Sequence, residues 1–237
     1  MTAPDEYDEP ALFDAVVTST AYGRVTRYEL STENPWLNRA LNVADSRRGY
    51  TLYAGFASTP ARGLELNGRI TAGRDRNLYF YANDPVHQDK FNLVYDREVT
   101  TNVNVHGEAL YGKGEKFRLG ARADYNYYGT HTLVQPFGRP EFQATIFGTY
   151  SVSDKVQLGV ETYFYSASYG ISYVSGVPDY FRATDPIYDL NLRADYRITS
   201  NLSIFAMGNN LANRQYQRFY RYPVKGINVL GGLTYTF

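Results

Sequence analysis

The fold is decided by residues 188–198, which read YDLNLRADYRI. Apolar side chains occupy every second position of this stretch, and Asp, Asn and Arg occupy the positions between them. Because successive side chains of a β-strand point to opposite faces, the alternation predicts a strand with one apolar and one charged face. Its length also suits a tilted strand that crosses a bilayer, which needs roughly 9–11 residues.

The same alternation recurs along most of the chain, and helical periodicity is nearly absent. Clear examples are residues 64–72, 101–111, 117–127 and 156–164. Their apolar positions include small residues and tend to end in tyrosine, which suits a face in contact with lipid. The 24 tyrosines in 237 residues fit this interpretation, because tyrosine rings are favoured at membrane interfaces. The sequence therefore predicts an all-β fold, an antiparallel transmembrane β-barrel of the outer-membrane type with about ten strands present.

The connections alternate between short turns and long links, which is typical of a barrel with short periplasmic turns and long outer loops. Short turns are predicted at 59–63, 112–116, 153–155 and 199–201, and long links at about 74–96, 129–140, 167–185 and 213–225. The predicted strands lie near 12–23, 48–59, 63–81, 97–112, 116–128, 140–152, 155–168, 184–199, 201–212 and 225–237. We expect a single domain over 1–237, either a transmembrane barrel or the C-terminal half of a larger one.

The composition narrows the function classes. Lys and Arg number 24 and Asp and Glu also number 24, so the chain lacks the basic excess of a nucleic-acid surface. It has no cysteine, which excludes disulfides and thiolate metal sites. The three histidines show no metal-ligand spacing, and no nucleophile–His–Asp arrangement, P-loop or dinucleotide motif is present. We therefore predict no catalytic residues, no metal and no cofactor.

The last twelve residues, 226–237, read GINVLGGLTYTF. Their apolar face ends in Tyr235 and Phe237, and Gly232 lies five residues before the terminal ring. This pattern resembles the C-terminal assembly signal of bacterial outer-membrane barrels, and the resemblance implies recognition by the barrel assembly machinery. An unpaired strand edge cannot remain in lipid, so such a strand must find a partner during insertion.

Further stretches make the resemblance more specific. Residues 201–216 read NLSIFAMGNNLANRQY, and a Tyr-Pro pair follows at 222–223. Together with the terminal strand, they resemble the closing hairpin of TonB-dependent outer-membrane receptors. Motifs in the middle of the chain, including NDP at 83–85 and RP at 139–140, look like the Bacteroidetes-type branch of these receptors.

The resemblance implies a receptor in the bacterial outer membrane that takes up a small ligand. It implies contacts with outer-membrane lipid and lipopolysaccharide, and coupling to a TonB-type energy transducer through a plug domain. Receptors of this family enclose the plug in a barrel of about 22 strands, and we find neither the plug nor the first half of the barrel in the sequence. The N-terminal residues MTAPDEYDEP also lack the apolar region of a signal peptide, so we expect that one was removed or that the chain is a fragment.

The charged face of the predicted strands supplies the candidate residues of the lumen. For any one of these residues, we favour a cross-strand ion pair in a wet interior over a role in guiding solute. As a set, they predict a hydrated interior. They are Glu65, Arg69, His106, Glu108, Arg118, Arg122, Asp124, Glu161, Asp189, Arg193, Asp195 and Arg197.

Basic and aromatic side chains alternate in residues 214–222, in one of the predicted outer loops. Such a loop could stack and pair with an anionic ligand or a lipopolysaccharide head group. An aromatic belt at the membrane interface with no specific ligand is the competing interpretation, and it is the one we favour. The ligand-loop candidates are Arg214, Tyr216, Arg218, Tyr220 and Arg221.

Two alternatives to the receptor remain open. A structural barrel subunit of a multichain outer-membrane complex would pair its edge strands with other chains. A small closed barrel, porin-like or an omptin-like enzyme, would pair its first strand with its last. The enzyme needs paired acids and an Asp–His pair at its rim. His131 has no acidic neighbour in the sequence, and His87 has Asp84 and Asp89 nearby but no second Asp pair to complete the site. The pairing of the first and last strands therefore separates these interpretations.

Overall fold

A computed structural model of the chain describes residues 17–26, 47–87, 90–114, 116–175, 177–219 and 221–237. None of these residues belongs to a helix that is long and apolar enough to span a membrane. The strands are β1 (Val17–Thr26), β2 (Arg47–Ala61), β3 (Leu64–Asn83), β4 (Phe91–Lys113), β5 (Phe117–Gly129), β6 (Phe142–Ser153), β7 (Val156–Tyr165), β8 (Tyr169–Val174), β9 (Val177–Ala183), β10 (Ile187–Arg197), β11 (Leu202–Asn209), β12 (Gln217–Phe219), β13 (Tyr222–Pro223) and β14 (Asn228–Tyr235).

Ten strands form one antiparallel sheet in the order β1-β2-β3-β4-β5-β6-β7-β10-β11-β14. The sheet confirms the predicted fold class, an antiparallel outer-membrane β-barrel wall with about ten strands. The first predicted strand, near 12–23, lies partly outside the described residues, and the structure places β1 at Val17–Thr26. The long links predicted at 167–185 and 213–225 contain two short strand pairs, β8–β9 and β12–β13.

One face of the sheet carries apolar side chains that are exposed on the isolated chain. Leu233, for example, is 71% exposed. Because directly paired residues share a face, the registers place these side chains in continuous rows across the wall. One such row is Leu119, Gly148, Val160, Leu192, Gly208 and Val229. This is the face that an outer-membrane barrel turns toward lipid, and the opposite, polar face is the one that lines its lumen. We call them the lipid face and the lumenal face.

Aromatic rings border this apolar face at both ends of the strands. In β5, Phe117 lies at one end and Tyr127 at the other, ten residues apart. At a rise of about 3.4 Å per residue this is about 34 Å along the strand, or roughly 26 Å along the barrel axis at a tilt of about 40°. That height is close to the apolar band of an outer membrane, about 25 Å. The spacing of the two rings therefore matches the distance between the two interfaces of such a membrane.

Short turns join the strands at one end of the sheet, which is the periplasmic end in outer-membrane barrels, and we call it the periplasmic rim. Gly63 in the β2–β3 turn has a φ of +79°, and a Cβ at this position would collide with the carbonyl oxygen of Gly112 in β4. Only glycine satisfies both the left-handed backbone and this close approach. The last strand also ends here, where Thr236 donates its amide to the carbonyl of Asn201 at 2.9 Å. The C-terminal residues therefore lie at the periplasmic rim.

The β3–β4 hairpin extends beyond its neighbours at the opposite, outer end. Asn77, with a φ of 58°, accompanies a shift of register between Arg76 and Leu78. Beyond this irregularity, the hairpin carries side chains of a small core. The cluster consists of Leu78, Phe80 and Ala82 of β3, Phe137 of the β5–β6 connection and Ile171 of β8. These residues are 1–6% exposed, so two outer loops are packed on the extended hairpin.

Asp96 of β4 holds the β5–β6 connection, residues 130–141, which we call the cap loop. The carboxylate is fully buried and accepts hydrogen bonds from the amides of His131 and Thr132 and from the hydroxyls of Thr100 and Thr132. Burial would raise the pKa of Asp96, but these hydrogen bonds outweigh it and lower that pKa below its usual value of 3.8. The cap loop is therefore fixed by an ionised carboxylate.

The two outermost strands of the described sheet have one partner each. β1 pairs with β2, β14 pairs with β11, and within the described residues β1 and β14 do not pair with each other. A closed ten-stranded barrel would need that pairing. The described residues therefore form an open stretch of barrel wall.

Candidate functional site

A cavity of about 480 Å³ lies at the outer end of the lumenal face, and we call it the mouth cavity. Its wall consists of the ends of β6, β7 and β10, and its roof is the connection between β11 and β14. We call residues 210–219 and 221–227 of that connection the mouth loop. The lining residues are Gly138, Pro140, Gln143, Tyr163, Tyr165, Ser166, Ser168, Ile187, Asp189, Tyr216, Arg218, Phe219 and Val224.

The mouth loop is joined to the wall by a hydrogen bond between two of the predicted site residues. The hydroxyl of Tyr216 donates to Oδ2 of Asp189 at 2.6 Å. Burial raises the pKa of the Tyr216 phenol, and the neighbouring carboxylate raises it further, so the phenol stays protonated and remains a donor. The other carboxylate oxygen, Oδ1 of Asp189, is buried and has no hydrogen-bond partner among the described residues. This oxygen is available to a donor on a ligand.

Asn210 fixes both ends of the mouth loop. Its side-chain amide donates to the carbonyls of Arg214 at 2.9 Å and Lys225 at 3.1 Å, while its Oδ1 accepts the amide of Arg214 at 3.2 Å. Its own amide donates to Oδ1 of Asn191 on β10. Asn210 is 3% exposed and has a φ of 51°, a conformation that Asn tolerates better than most residues. One buried side chain therefore closes the loop over the wall.

The far side of the mouth loop reaches the extended β3–β4 hairpin. Phe91 at the start of β4 stacks on Tyr222, with ring centroids 5.0 Å apart and planes 24° apart. It also makes an edge contact with Phe219 at 5.7 Å. Four strands, β5, β6, β7 and β10, lie between β4 and β11 in the sheet. The mouth loop therefore crosses the outer end of this wall and roofs the cavity.

Two further cavities continue along the lumenal face. One of about 340 Å³, which we call the wall cavity, is lined by Arg69, His106, Arg122, Asp124, Gln143, Ala144, Thr145, Tyr163 and Tyr165. The other, of about 530 Å³, is lined in part by Arg122, Glu161, Tyr163, Asn191 and Arg193. Tyr163 borders all three. The mouth cavity therefore adjoins the other two cavities through a shared lining residue, and all three lie along the polar lumenal face.

The registers place all twelve predicted lumenal residues on this one face. His106 Nδ1 lies 2.9 Å from Asp124 Oδ1 on the neighbouring strand. Arg193 and Asp195 pair along a single strand at 2.7 Å, and both are partly exposed, so this pair adds little stability. Among the described residues of this set, therefore, the side-chain contact between neighbouring strands is the hydrogen bond of His106 with Asp124.

The structure separates the loop candidates into two groups. Tyr216 and Arg218 line the mouth cavity, whereas Arg214 and Arg221 are exposed, and Tyr220 lies outside the described residues. The C-terminal candidates lie at and near the periplasmic rim. Among them, Gly232 is paired with Phe205, and Tyr235 and Phe237 make an edge contact at 5.1 Å.

Sequence reasoning missed several residues of the mouth. Phe91, Phe219 and Asn210 have structural roles there that local alternation does not encode, although Asn210 lies in the stretch 201–216 that resembles a closing hairpin. Tyr163 had a usable signal, because it is an aromatic residue on the charged face of β7 close to its outer end. Within the described residues, there is no group of three or more His, Cys, Asp or Glu that could hold a metal ion.

No family model and no curated protein matches the chain. Solved structures do match it. The pyoverdine outer-membrane receptor FpvA of Pseudomonas aeruginosa PAO1 aligns with a TM-score of 0.64 and 15% identity over 92% of this chain and 34% of the receptor. The chain has the fold of part of a TonB-dependent receptor barrel.

Two other receptors of this fold also match. The ferric-catecholate import receptor Fiu of Escherichia coli K12 aligns with a TM-score of 0.64 and 13% identity over 93% of this chain and 33% of that one. The siderophore receptor PiuA of Acinetobacter baumannii gives 0.60 and 14% over 92% and 34%. The chain thus spans about a third of the length of the solved receptors it matches. These structural neighbours of the chain are transport receptors and not enzymes.

Proposed function

We propose that the chain forms part of the wall of a TonB-dependent receptor-like protein that takes up a small ligand across the bacterial outer membrane. The observation that carries this proposal is the roofed mouth cavity, where Tyr216 of an outer loop bonds to Asp189 of the lumen wall. A cavity closed by an outer loop and continuous with a hydrated wall suits capture of a solute on its way inward. The matched receptors for ferripyoverdine, ferric catecholate and siderophores support this class of function.

The mouth cavity combines aromatic faces with a few polar groups. Tyr163, Tyr165 and Phe219 offer rings for stacking, while Asp189 and Arg218 offer one charge of each sign. The unpartnered Oδ1 of Asp189 favours a ligand that carries a hydrogen-bond donor. Such a mixture orients a compact polar ligand, because apolar contact supplies affinity and the polar groups fix its orientation.

Partners follow from the same proposal. Coupling to a TonB-type energy transducer would pass through a plug domain, and the lipid face would contact outer-membrane lipid and lipopolysaccharide. The barrel assembly machinery would recognise the strand that ends at Phe237. We also propose the Bacteroidetes-type branch, which rests on the sequence motifs, since the solved receptors compared above come from Pseudomonas, Escherichia and Acinetobacter.

Uptake measurements test the proposed function. Cells that express the complete gene are compared with cells that carry Asp189→Asn or Tyr216→Phe, during growth on single sources of iron, copper or glycan. We expect one nutrient to require the intact gene, and both variants to reduce its uptake while the protein remains in the outer membrane. Normal uptake of every nutrient after deletion of the gene would contradict the proposal.

A structural subunit of a multichain outer-membrane complex is the second candidate function. The observation that favours it is the pair of sheet edges at β1 and β14, each with one partner among the described residues. Crosslinking cysteines introduced along β14 distinguishes the two functions. A crosslink to another strand of the same polypeptide supports the receptor, and a crosslink to a different protein supports the multichain complex.

A further inference from the structure

The wall cavity beside the mouth cavity contains two guanidinium groups. Arg69 of β3 and Arg122 of β5 line the same space of about 340 Å³, which also includes His106 and Asp124. The wall cavity and the mouth cavity share three lining residues, Gln143, Tyr163 and Tyr165. The two cavities therefore adjoin each other along these three residues, and the arginines lie in the second one.

Arg69 has a donor without an acceptor. Its Nε is buried and has no hydrogen-bond partner among the described residues. Native structures seldom leave a buried donor without a water, an ion or a ligand as its acceptor. Arg69 is directly opposite His106 in the register, and His106 is already engaged with Asp124. The neighbouring strand therefore does not supply the missing acceptor.

Arg122 also has no carboxylate partner within the described residues. The residue directly opposite it, Glu108, forms no ion pair with it, and the Arg122 guanidinium instead lies 5.9 Å from the ring centroid of Phe147. The one carboxylate that lines the wall cavity is that of Asp124, and its Oδ1 accepts from His106 at 2.9 Å and from Asn104 at 3.3 Å. Two guanidinium charges therefore face this cavity against one carboxylate that already has partners.

From this arrangement we infer that Arg69 and Arg122 form a subsite for an anionic group, a carboxylate or a phosphate, carried by the ligand that the mouth cavity takes. The inference rests on the proposed function. Guanidinium groups stay charged at all physiological pH values and present planar donors that match these oxyanions. The ligand then has a polar, ring-stacking portion in the mouth cavity and an acidic group beside it.

Binding of simple anions to the product of the complete gene, purified in detergent micelles, tests the subsite. The probes are inorganic phosphate and acetate, and the readout is the ¹⁵N resonance of each arginine Nε. We expect phosphate to shift the Arg69 and Arg122 resonances saturably, and R69Q or R122Q to weaken the apparent Kd by about tenfold, which corresponds to about 1.4 kcal/mol. Comparison of the two probes shows whether the subsite prefers a phosphate or a carboxylate.

Arg118 provides the matched control. It lies on the same face of β5 as Arg122 but does not line the wall cavity. R118Q should leave the phosphate Kd unchanged, and R69K with R122K should retain part of the binding because the charge is kept. Equal weakening by R118Q would show a diffuse lumenal charge and overturn the subsite, as would unchanged binding in the R69Q/R122Q double variant.

The uptake assay separates the subsite from the proposed function. Anion binding that depends on Arg69 and Arg122 without any uptake phenotype would refute the receptor function alone. Uptake by a protein whose phosphate affinity does not depend on these arginines would refute the subsite alone.

Discussion

Phe91 and Tyr222 lie face to face, with ring centroids 5.0 Å apart, although β4 and β11 are separated by four strands of the sheet. Phe91 belongs to the extended β3–β4 hairpin and Tyr222 to the mouth loop. The contact therefore joins two outer segments that the sheet alone would leave apart. Because stacked aromatic pairs add about 0.5–1.5 kcal/mol beyond the area they bury, this contact biases the mouth loop toward the roofed position.

Replacement of Phe91 by alanine should loosen the mouth loop. The variant loses the stack on Tyr222 and the edge contact with Phe219, and we expect faster proteolysis and faster amide exchange in the mouth loop. The control is F142A, which removes another aromatic contact, with Phe164, on the lipid face. Equal loop cleavage in F91A and the unmodified protein would show that the stack does not hold the roof.

Replacement of Tyr216 by phenylalanine should open the same loop from its other side. The change removes the 2.6 Å hydrogen bond and leaves Asp189 with one donor fewer, at a local cost of about 1–3 kcal/mol. We expect amide protection in residues 214–219 to fall. Tyr188→Phe is a close control, since Tyr188 precedes Asp189 in β10 but is exposed on the lipid face. If both variants lose protection equally, the Tyr216–Asp189 bond is not what fixes the loop.

The pH dependence of the cap loop follows from Asp96. Its lowered pKa means that the ionised form is stabilised by folding, so its contribution is present above the unfolded value of 3.8 and is lost as the pH falls through the folded pKa. We expect amide protection at His131 and Thr132 to be constant from pH 7 to about 4.5 and to collapse below about 3.8.

The variant D96N separates this effect from general acid unfolding. An amide cannot accept every hydrogen bond that the carboxylate accepts, so protection of the cap loop should already be low at pH 7 and vary little with pH. Amides in the middle of β5, away from the cap loop, serve as the internal reference. Simultaneous loss of protection in β5 and the cap loop would assign the transition to the whole barrel instead.

Period-two alternation explains why the wall was predictable. Leu190, Asn191 and Leu192 alternate faces in the sequence and do so in β10, because side-chain direction in a strand is a local property. The resemblance of 201–216 and the terminal strand to a closing hairpin likewise agrees with the pairing of β11 and β14. These features depend on neighbours in the sequence or on one adjacent strand.

The outer half of the site depends on contacts between distant segments. Phe137 and Ile171 meet Phe80 only because two loops pack onto the extended hairpin, and no local pattern marks those positions. Arg139, noted in the sequence for its motif, lies over the Phe80 and Tyr128 rings at 5.0 and 5.1 Å. Long-range packing of this kind overrides local signals, so the mouth cavity could not be predicted from the sequence.

Gly232 in the last strand is required by a ring on the neighbouring strand. A Cβ at this position would lie 2.6 Å from Cε1 of Phe205, whose own ring is covered by the Arg193 guanidinium at 4.7 Å. Substitution of Gly232 by alanine must therefore displace the Phe205 ring or separate β11 from β14. We expect G232A to reduce the amount of protein assembled in the outer membrane, as measured by heat-modifiable migration of membrane fractions.

Gly231 offers a control in the adjacent position, because a Cβ there would have an ordinary contact, 3.5 Å from the Phe205 carbonyl oxygen. G231A should assemble normally. Combining G232A with Phe205→Leu should restore assembly, since the shorter side chain leaves room for the new methyl group. If G232A assembles poorly and Phe205→Leu does not rescue it, then Gly232 acts in recognition by the assembly machinery and not through its fit against Phe205.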